Sequence, residues 1–392
     1  MAERFRILKL NQIAQVGLQR FPAERYEVGK VERPDAILVR SQDMHKMDIG
    51  ASVKAIGRAG AGTNNIPVEA MSKRGVPVFN APGANANAVK ELVVAAMLMA
   101  ARNLVPALQF VAGLKGDDAA LHKLVEDGKK QFSGIELPGR TLGIIGLGKI
   151  GSLVADAAIK LGMDVLGYDP EITVEAAWSL PSQVKKAHSI EEVLKASDFV
   201  TVHVPLLTQT RNLIGSARLE LMRHDAVLLN FARDGIVDDA AVCAALDAKR
   251  LRYYMCDFPA QRLQGHPRVA ALPHLGASTG EAEDNCAVMV ADQVRDFLEN
   301  GNIVNAVNFP NVVMSRESPY RVGIANANVP NMVGQISTAI AQAGLNIHNM
   351  LNKSKGDMAY TLVDVDSAAS DELIGRLAAI PGVLALRYLP QA

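Results

Sequence analysis

The chain has 392 residues, with 41 Lys and Arg against 41 Asp and Glu, and about half of its residues (49%) are apolar. This length and composition imply two or three globular domains with ample cores. The zero formal net charge gives no support to a nucleic-acid partner, which usually leaves a basic excess. The opening MAERFRILKL lacks the apolar core of a signal peptide. The apolar run 92–101 is too short to span a bilayer. The three cysteines, Cys243, Cys256 and Cys286, show neither metal-ligand spacing nor a disulfide framework, so no metal and a cytoplasmic setting are expected.

In chain order, 36–40 and 76–80 read as buried strands and 89–102 as a long apolar helix. Strand and helix in alternation imply a parallel sheet. A second series starts after Pro138-Gly139, with strands at 141–145, 164–168, 199–204, 227–231, 253–257 and 269–272. Short β-branched runs of this kind suit a doubly wound sheet. A helix is expected at about 279–300, then a weakly patterned linker at 305–316. From Tyr320 the order is strand, helix, strand, strand, helix, strand, which is ferredoxin-like.

Gly146-Leu147-Gly148-Lys149-Ile150-Gly151 follows a strand and opens a helix. In that setting the glycines allow a tight turn, close approach of a pyrophosphate and tight helix packing. Asp169 ends the next strand, where a carboxylate accepts ribose hydroxyls and repels a 2′-phosphate. NAD is therefore the expected cofactor.

Two more strand ends carry chemistry. Arg233 follows the run AVLL and Asn230; its planar fork matches a carboxylate. His274 follows VAAL, with a pKa range suited to proton exchange. Open α/β sheets place ligands at such strand ends. Either residue alone also reads as an ordinary surface side chain; together they suit oxidation of a 2-hydroxy acid, which needs a cation and a base at the reacting carbon.

The segments GLGKIG at 146–151, NFARDGIVD at 230–238 and PHLGAST at 273–279 resemble the D-isomer-specific 2-hydroxyacid dehydrogenase family over nearly the whole chain. The resemblance implies a flavodoxin-like substrate domain from 1–98 and 285–310, a Rossmann nucleotide domain at 99–284 and a third domain at 319–392. It adds Val204, Phe231, Ala232, Asp257, Leu275, Gly276 and Ala277 to the cofactor contacts.

VRS at 39–41 and GRAGAGTNNI at 57–66 resemble substrate loops of the branch that oxidises 3-phosphoglycerate. That branch implies Arg40 and Arg58 on a phosphate, and Ala61 and Gly62 on a carboxylate. A glyoxylate or hydroxypyruvate reductase shares the same motifs. An NAD-sensing binder is a third reading, because the family's glutamate beside the catalytic histidine is missing: between Asp257 and His274 stands no Glu, and Arg262 lies near its place.

Residues 320–392 resemble an ACT domain. The resemblance implies either a dimerising module or an L-serine site using Asn326, Asn328 and Asn346. At least a homodimer, or a tetramer, is expected.

Overall fold

The computed structural model describes residues 4–391, with the backbone alone for Glu175. The chain forms two compact units, 1–85 with 280–392, and 86–279.

The first unit holds a five-stranded parallel sheet. Its strands are β1 (Phe5–Lys9), β2 (Tyr26–Gly29), β3 (Ala36–Val39), β4 (Ala55–Arg58) and β5 (Val78–Phe79), in the order β2-β1-β3-β4-β5. This is the flavodoxin-like order. β3 is buried along its whole length, as a strand covered on both faces must be. The 21-residue helix Gly280–Asn300 returns to this sheet and buries Val290, Val294, Phe297 and Leu298 in its core.

The second unit is built on a seven-stranded parallel sheet. Its strands are β6 (Thr141–Ile145), β7 (Asp164–Tyr168), β8 (Lys185–Lys186), β9 (Phe199–Val202), β10 (Ala226–Asn230), β11 (Leu251–Cys256) and β12 (Val269–Ala271). The order β12-β11-β10-β9-β6-β7-β8 is that of a Rossmann sheet, with its switch point between β6 and β9. The apolar helix Ala86–Ala101 packs in this unit, burying Val89, Val93 and Met97.

In the first unit the C-terminal strands β13 (Tyr320–Ala327), β14 (Ile347–Lys355), β15 (Met358–Val365) and β16 (Val383–Pro390) pair antiparallel in the order β14-β15-β13-β16. The ferredoxin-like βαββαβ expectation holds. Its helices, Met332–Gln342 and Asp371–Ala378, cover one face through Ile336, Ile340, Leu373 and Leu377. The other face sends Ala325, Tyr360 and Leu362 into the same core as Phe297 and Phe309.

The weakly patterned 305–316 stretch is not a free linker. Val307 N donates to Val78 O, Ile303 and Val312 bridge, and Phe309 is fully buried. Its polar Asn residues hid this, because Asn308 is spent on the chain: its Oδ1 accepts from Val78 N and its Nδ2 donates to Val76 O.

One ion pair fastens the C-terminal sheet. Arg321 on β13 faces Asp364 on β15, and both are fully buried. Nε and Nη2 donate to the two carboxylate oxygens at 2.6 and 2.8 Å. The remaining donors reach Asn300 O, Met314 O and Ser315 O, at the end of the long helix and just beyond it. With every guanidinium donor used, desolvation is offset by geometry, and removing one partner strands a buried charge. Asp364→Asn is expected to cost about 3–5 kcal/mol, seen as a lower urea midpoint; a change below about 1 kcal/mol would show that the clasp is dispensable.

Candidate active site

The glycine loop has the geometry that its sequence requires. Gly146 has φ of 96°, and a Cβ there would come within 2.6 Å of His203 O. A Cβ on Gly151 would overlap the Gly146 carbonyl. Around Gly148 nothing lies within 4 Å of where a Cβ would stand, so the backbone there faces open space. Gly148 opens the helix Lys149–Lys160 with no side chain capping it, which leaves first-turn N–H groups for an anion.

Asp169, one residue past β7, accepts from Leu147 N at 2.8 Å and Glu171 N at 3.0 Å. The carboxylate and the glycine turn are thus tied together. Beside them is a cavity of about 570 Å³, lined by Leu147, Tyr168, Asp169, Ile172, Leu180 and His188. It suits an adenosine moiety. Tyr168, Ile172, Leu180 and His188 carry no motif, so the sequence did not mark them. These features fit NAD. Val204 packs at the same turn, 3.1 Å from the Cβ position of Gly146.

At the end of β10, Asn230 is buried and shapes the next turn. Its Oδ1 accepts from Ala232 N at 3.2 Å, and its Nδ2 donates to Arg233 O at 3.0 Å. Phe231 and Ala232 are buried, while Arg233 is exposed and donates to Ala232 O at 2.6 Å.

At the end of β11, Asp257 is 1% exposed. Its two oxygens accept from Leu275 N and Gly276 N, each at 2.7 Å. His274 N donates to Asp257 O at 3.1 Å. His274 itself has φ of 58°, an uncommon conformation for a residue with a Cβ. Its ring meets Phe258 edge-on at 5.1 Å. Among the described residues no carboxylate lies within 4.0 Å of this imidazole. Arg262, near the missing glutamate's place in sequence, is exposed and acts on Asp239 and Cys243. His274 is therefore positioned through its backbone and Phe258, a residue that sequence reasoning passed over. Ala277 follows, exposed, in the same loop.

In the first unit, the β3–β4 register pairs Val39 with Arg58, so Arg40 and Arg58 stand on adjacent strand ends. Arg40 Nη2 pairs with Glu283 at 2.6 Å, with both side chains more than a third exposed. The Arg58 guanidinium crosses Gly60, whose φ of 151° and missing Cβ make room for it. Ala61 O accepts from Asn80 Nδ2 at 2.5 Å. The N–H groups of Ala61 and Gly62 have no acceptor among the described residues, so they are available to an anion.

In the C-terminal sheet, Asn326 and Asn328 stand at the end of β13 and Asn346 at the start of β14. Both strands run antiparallel to β15, so these lie at opposite ends of the sheet, about 20 Å apart by strand rise. No single copy gathers all three. Asn346 is spent on Asp366, through N and Nδ2 at 3.1 Å each.

Residues 94–276 match the profile of the D-isomer specific 2-hydroxyacid dehydrogenase NAD binding domain. A D-3-phosphoglycerate dehydrogenase of Haemophilus influenzae is 33% identical over 86% of this chain and 81% of its own length. The chain belongs to the D-isomer-specific 2-hydroxyacid dehydrogenase family.

Its cofactor is the NAD of that family's nucleotide domain. A D-3-phosphoglycerate dehydrogenase of Methanocaldococcus jannaschii is 36% identical over 81% of this chain and 59% of its own length. One from Synechocystis is 35% identical over 90% of this chain and 62% of its own. The chain thus spans about three fifths of those two relatives. Among solved structures, an NAD-bound 3-phosphoglycerate dehydrogenase of Entamoeba histolytica is 26% identical, with TM-score 0.60, over 78% of this chain and 99% of that one.

Asp257→Asn keeps the volume but loses one of two charged acceptors. We expect kcat to fall roughly 10- to 100-fold, with loss of about 1.5–3 kcal/mol of loop positioning; an unchanged kcat would detach Asp257 from the positioning of His274. His203, beside the Gly146 turn, has a buried Nδ1 without a partner, and burial lowers its pKa to about 4. A depressed histidine pKa stabilises the fold above the unfolded value near about 6.5 and is lost as pH falls toward about 4. His203→Asn should flatten the decline in stability between pH about 7 and about 5, by on the order of 1 kcal/mol, in urea denaturation at each pH.

Proposed function

We propose that the chain oxidises D-3-phosphoglycerate to 3-phosphohydroxypyruvate with NAD, the opening step of L-serine biosynthesis. The observation that carries this reading is the pair of arginines, Arg40 and Arg58, on neighbouring strand ends beside the free N–H groups of Ala61 and Gly62. A phosphate near two negative charges is well served by two guanidinium groups. Several relatives that bear the name D-3-phosphoglycerate dehydrogenase support it.

In this reading Arg233 holds the C2 oxygen and the carboxylate, swinging from Ala232 O to do so. His274 takes the proton of the C2 hydroxyl. NAD supplies the hydride acceptor. As the hydride leaves C2, the C–O bond becomes a carbonyl and Arg233 stabilises the oxygen while its proton passes to His274. Asp257 keeps the loop of His274 fixed throughout.

The Arg40–Glu283 pair favours a second reading, an unphosphorylated 2-hydroxy acid, because a carboxylate already answers one of the two arginines. L-serine is an effector only in an assembly of two copies, since Asn326 and Asn346 stand at opposite ends of one sheet. A homo-oligomer has support in the helix Leu104–Gly113, which buries none of its residues and exposes Leu108 and Val111. Among the described residues no single helix is long and apolar enough to cross a membrane; a cytoplasmic setting fits the three cysteines, which are free thiols.

The test is turnover of 3-phosphoglycerate with NAD and a hydrazine trap for the ketone. Arg58→Ala should raise KM for 3-phosphoglycerate by roughly 10- to 100-fold, the worth of a charge-assisted hydrogen bond, and change KM for D-glycerate by less than about threefold. Equal effects on both substrates would favour the unphosphorylated reading.

A further inference from the structure

The seam between the flavodoxin-like sheet and the C-terminal sheet, inside the first unit, holds a half-open cavity of about 480 Å³. One wall is the entry to β4, at Val53 and Lys54, with Arg74 and Val76 before β5. The other wall is β13, β15 and β16, through Gly323, Tyr360, Leu386 and Arg387. The volume lies in the range of small-molecule sites.

Three cations line it, Lys54, Arg74 and Arg387, and no acid does. Arg387 lies over the Phe297 ring at 4.5 Å and donates to Phe297 O and Leu298 O, both at 2.7 Å. Those carbonyls, in the last turn of the long helix, answer part of its charge. No carboxylate lies within 4.0 Å of it among the described residues. The acid that acts on it electrostatically, Asp35, is committed to Lys54 Nζ and Arg6 N, each at 2.7 Å. Arg74 likewise donates only to the carbonyls of Ile49 and Gly50. A poorly solvated cation without a counter-ion calls for an anion.

A second observation is independent of charge. Tyr360 is 3% exposed, and its hydroxyl has no hydrogen-bond partner. The hydroxyl stands over Gly323 on the cavity wall, 2.6 Å from where a Cβ would be. Burial pushes this phenol up to about 12, so it is a neutral donor at physiological pH. Buried hydroxyls are rarely left unsatisfied.

We propose that this cavity binds a small carboxylate with a compact apolar body and no ammonium group. Its carboxylate faces Arg387 and Arg74 and accepts from the Tyr360 hydroxyl; its apolar body lies against Val53, Val76, Phe297 and Leu386. A free amino acid is disfavoured, because the three cations repel its ammonium and no wall residue offers a carboxylate to receive it. The occupant would bridge β4, which ends at Arg58, to the C-terminal sheet.

The experiment is calorimetric titration of the full chain; because the site of Arg233 and His274 would also accept a 2-oxo acid, binding at the cavity is the part that persists in Arg233→Ala, which keeps the result separate from the reaction assigned above. The probes are 4-methyl-2-oxopentanoate, L-leucine and the uncharged 4-methylpentan-2-one. We expect saturable binding of the oxo acid, with the other two weaker by roughly tenfold or more. Tyr360→Phe keeps the ring contacts with Phe297 and Phe309 and should weaken the oxo acid roughly fivefold, the worth of one hydrogen bond. Arg74→Gln should weaken it further while leaving the fold intact. No saturation below roughly 10 mM, equal binding of the ketone, tighter binding of L-leucine, or an unchanged affinity in Tyr360→Phe would each overturn the proposal.

Discussion

Parallel strands joined by crossover helices must all end on one edge, and the candidate chemistry of this chain rests on that constraint. In the seven-stranded sheet the Gly146 turn, Asp169, Asn230, Asp257 and the His274 loop stand at the ends of β6, β7, β10, β11 and β12. Backbone hydrogen bonds are consumed within the sheet, so what remains at this edge is loop N–H and side chain, which is what a cofactor and a reacting acid need. The same rule sets Arg40 and Arg58 side by side on the ends of β3 and β4 in the five-stranded sheet.

Within that edge, the buried carboxylate of Asp257 does the organising. It has two oxygens and gives them to consecutive N–H groups, Leu275 and Gly276, while its own carbonyl receives His274 N. A histidine with positive φ needs such restraint. The family's usual carboxylate would both orient the imidazole and raise its basicity. Here Phe258 supplies orientation without charge.

The C-terminal sheet serves two cores at once. Its helical face closes the ferredoxin-like module, and its opposite face is shared with Phe297 and Phe309. Apolar contact alone would let such a face slide. The fully buried Arg321–Asp364 pair fixes the register, because its remaining donors meet particular carbonyls at Asn300, Met314 and Ser315. The price of that tight seam is the hydroxyl of Tyr360, left without a partner beside an unpaired Arg387.

Much of this was legible from sequence. The six buried or β-branched runs from 141 to 272, the glycine loop and the βαββαβ tail follow from periodicity and local turn chemistry, which depend on near neighbours. β1, β2 and β4 escaped that reading, since strands of four or five residues with mixed polarity, such as FRILK and YEVG, look like loops until a sheet pairs them. The sequence by itself determined which residue types stand at the strand ends: Gly146, Asp169, Arg233, His274, Arg40 and Arg58. Only the tertiary structure decided what each of them touches. That Glu283 meets Arg40, that Phe258 stands in for a missing carboxylate, and that Arg321 finds Asp364 across 43 positions are long-range pairings, set by packing and invisible to local pattern.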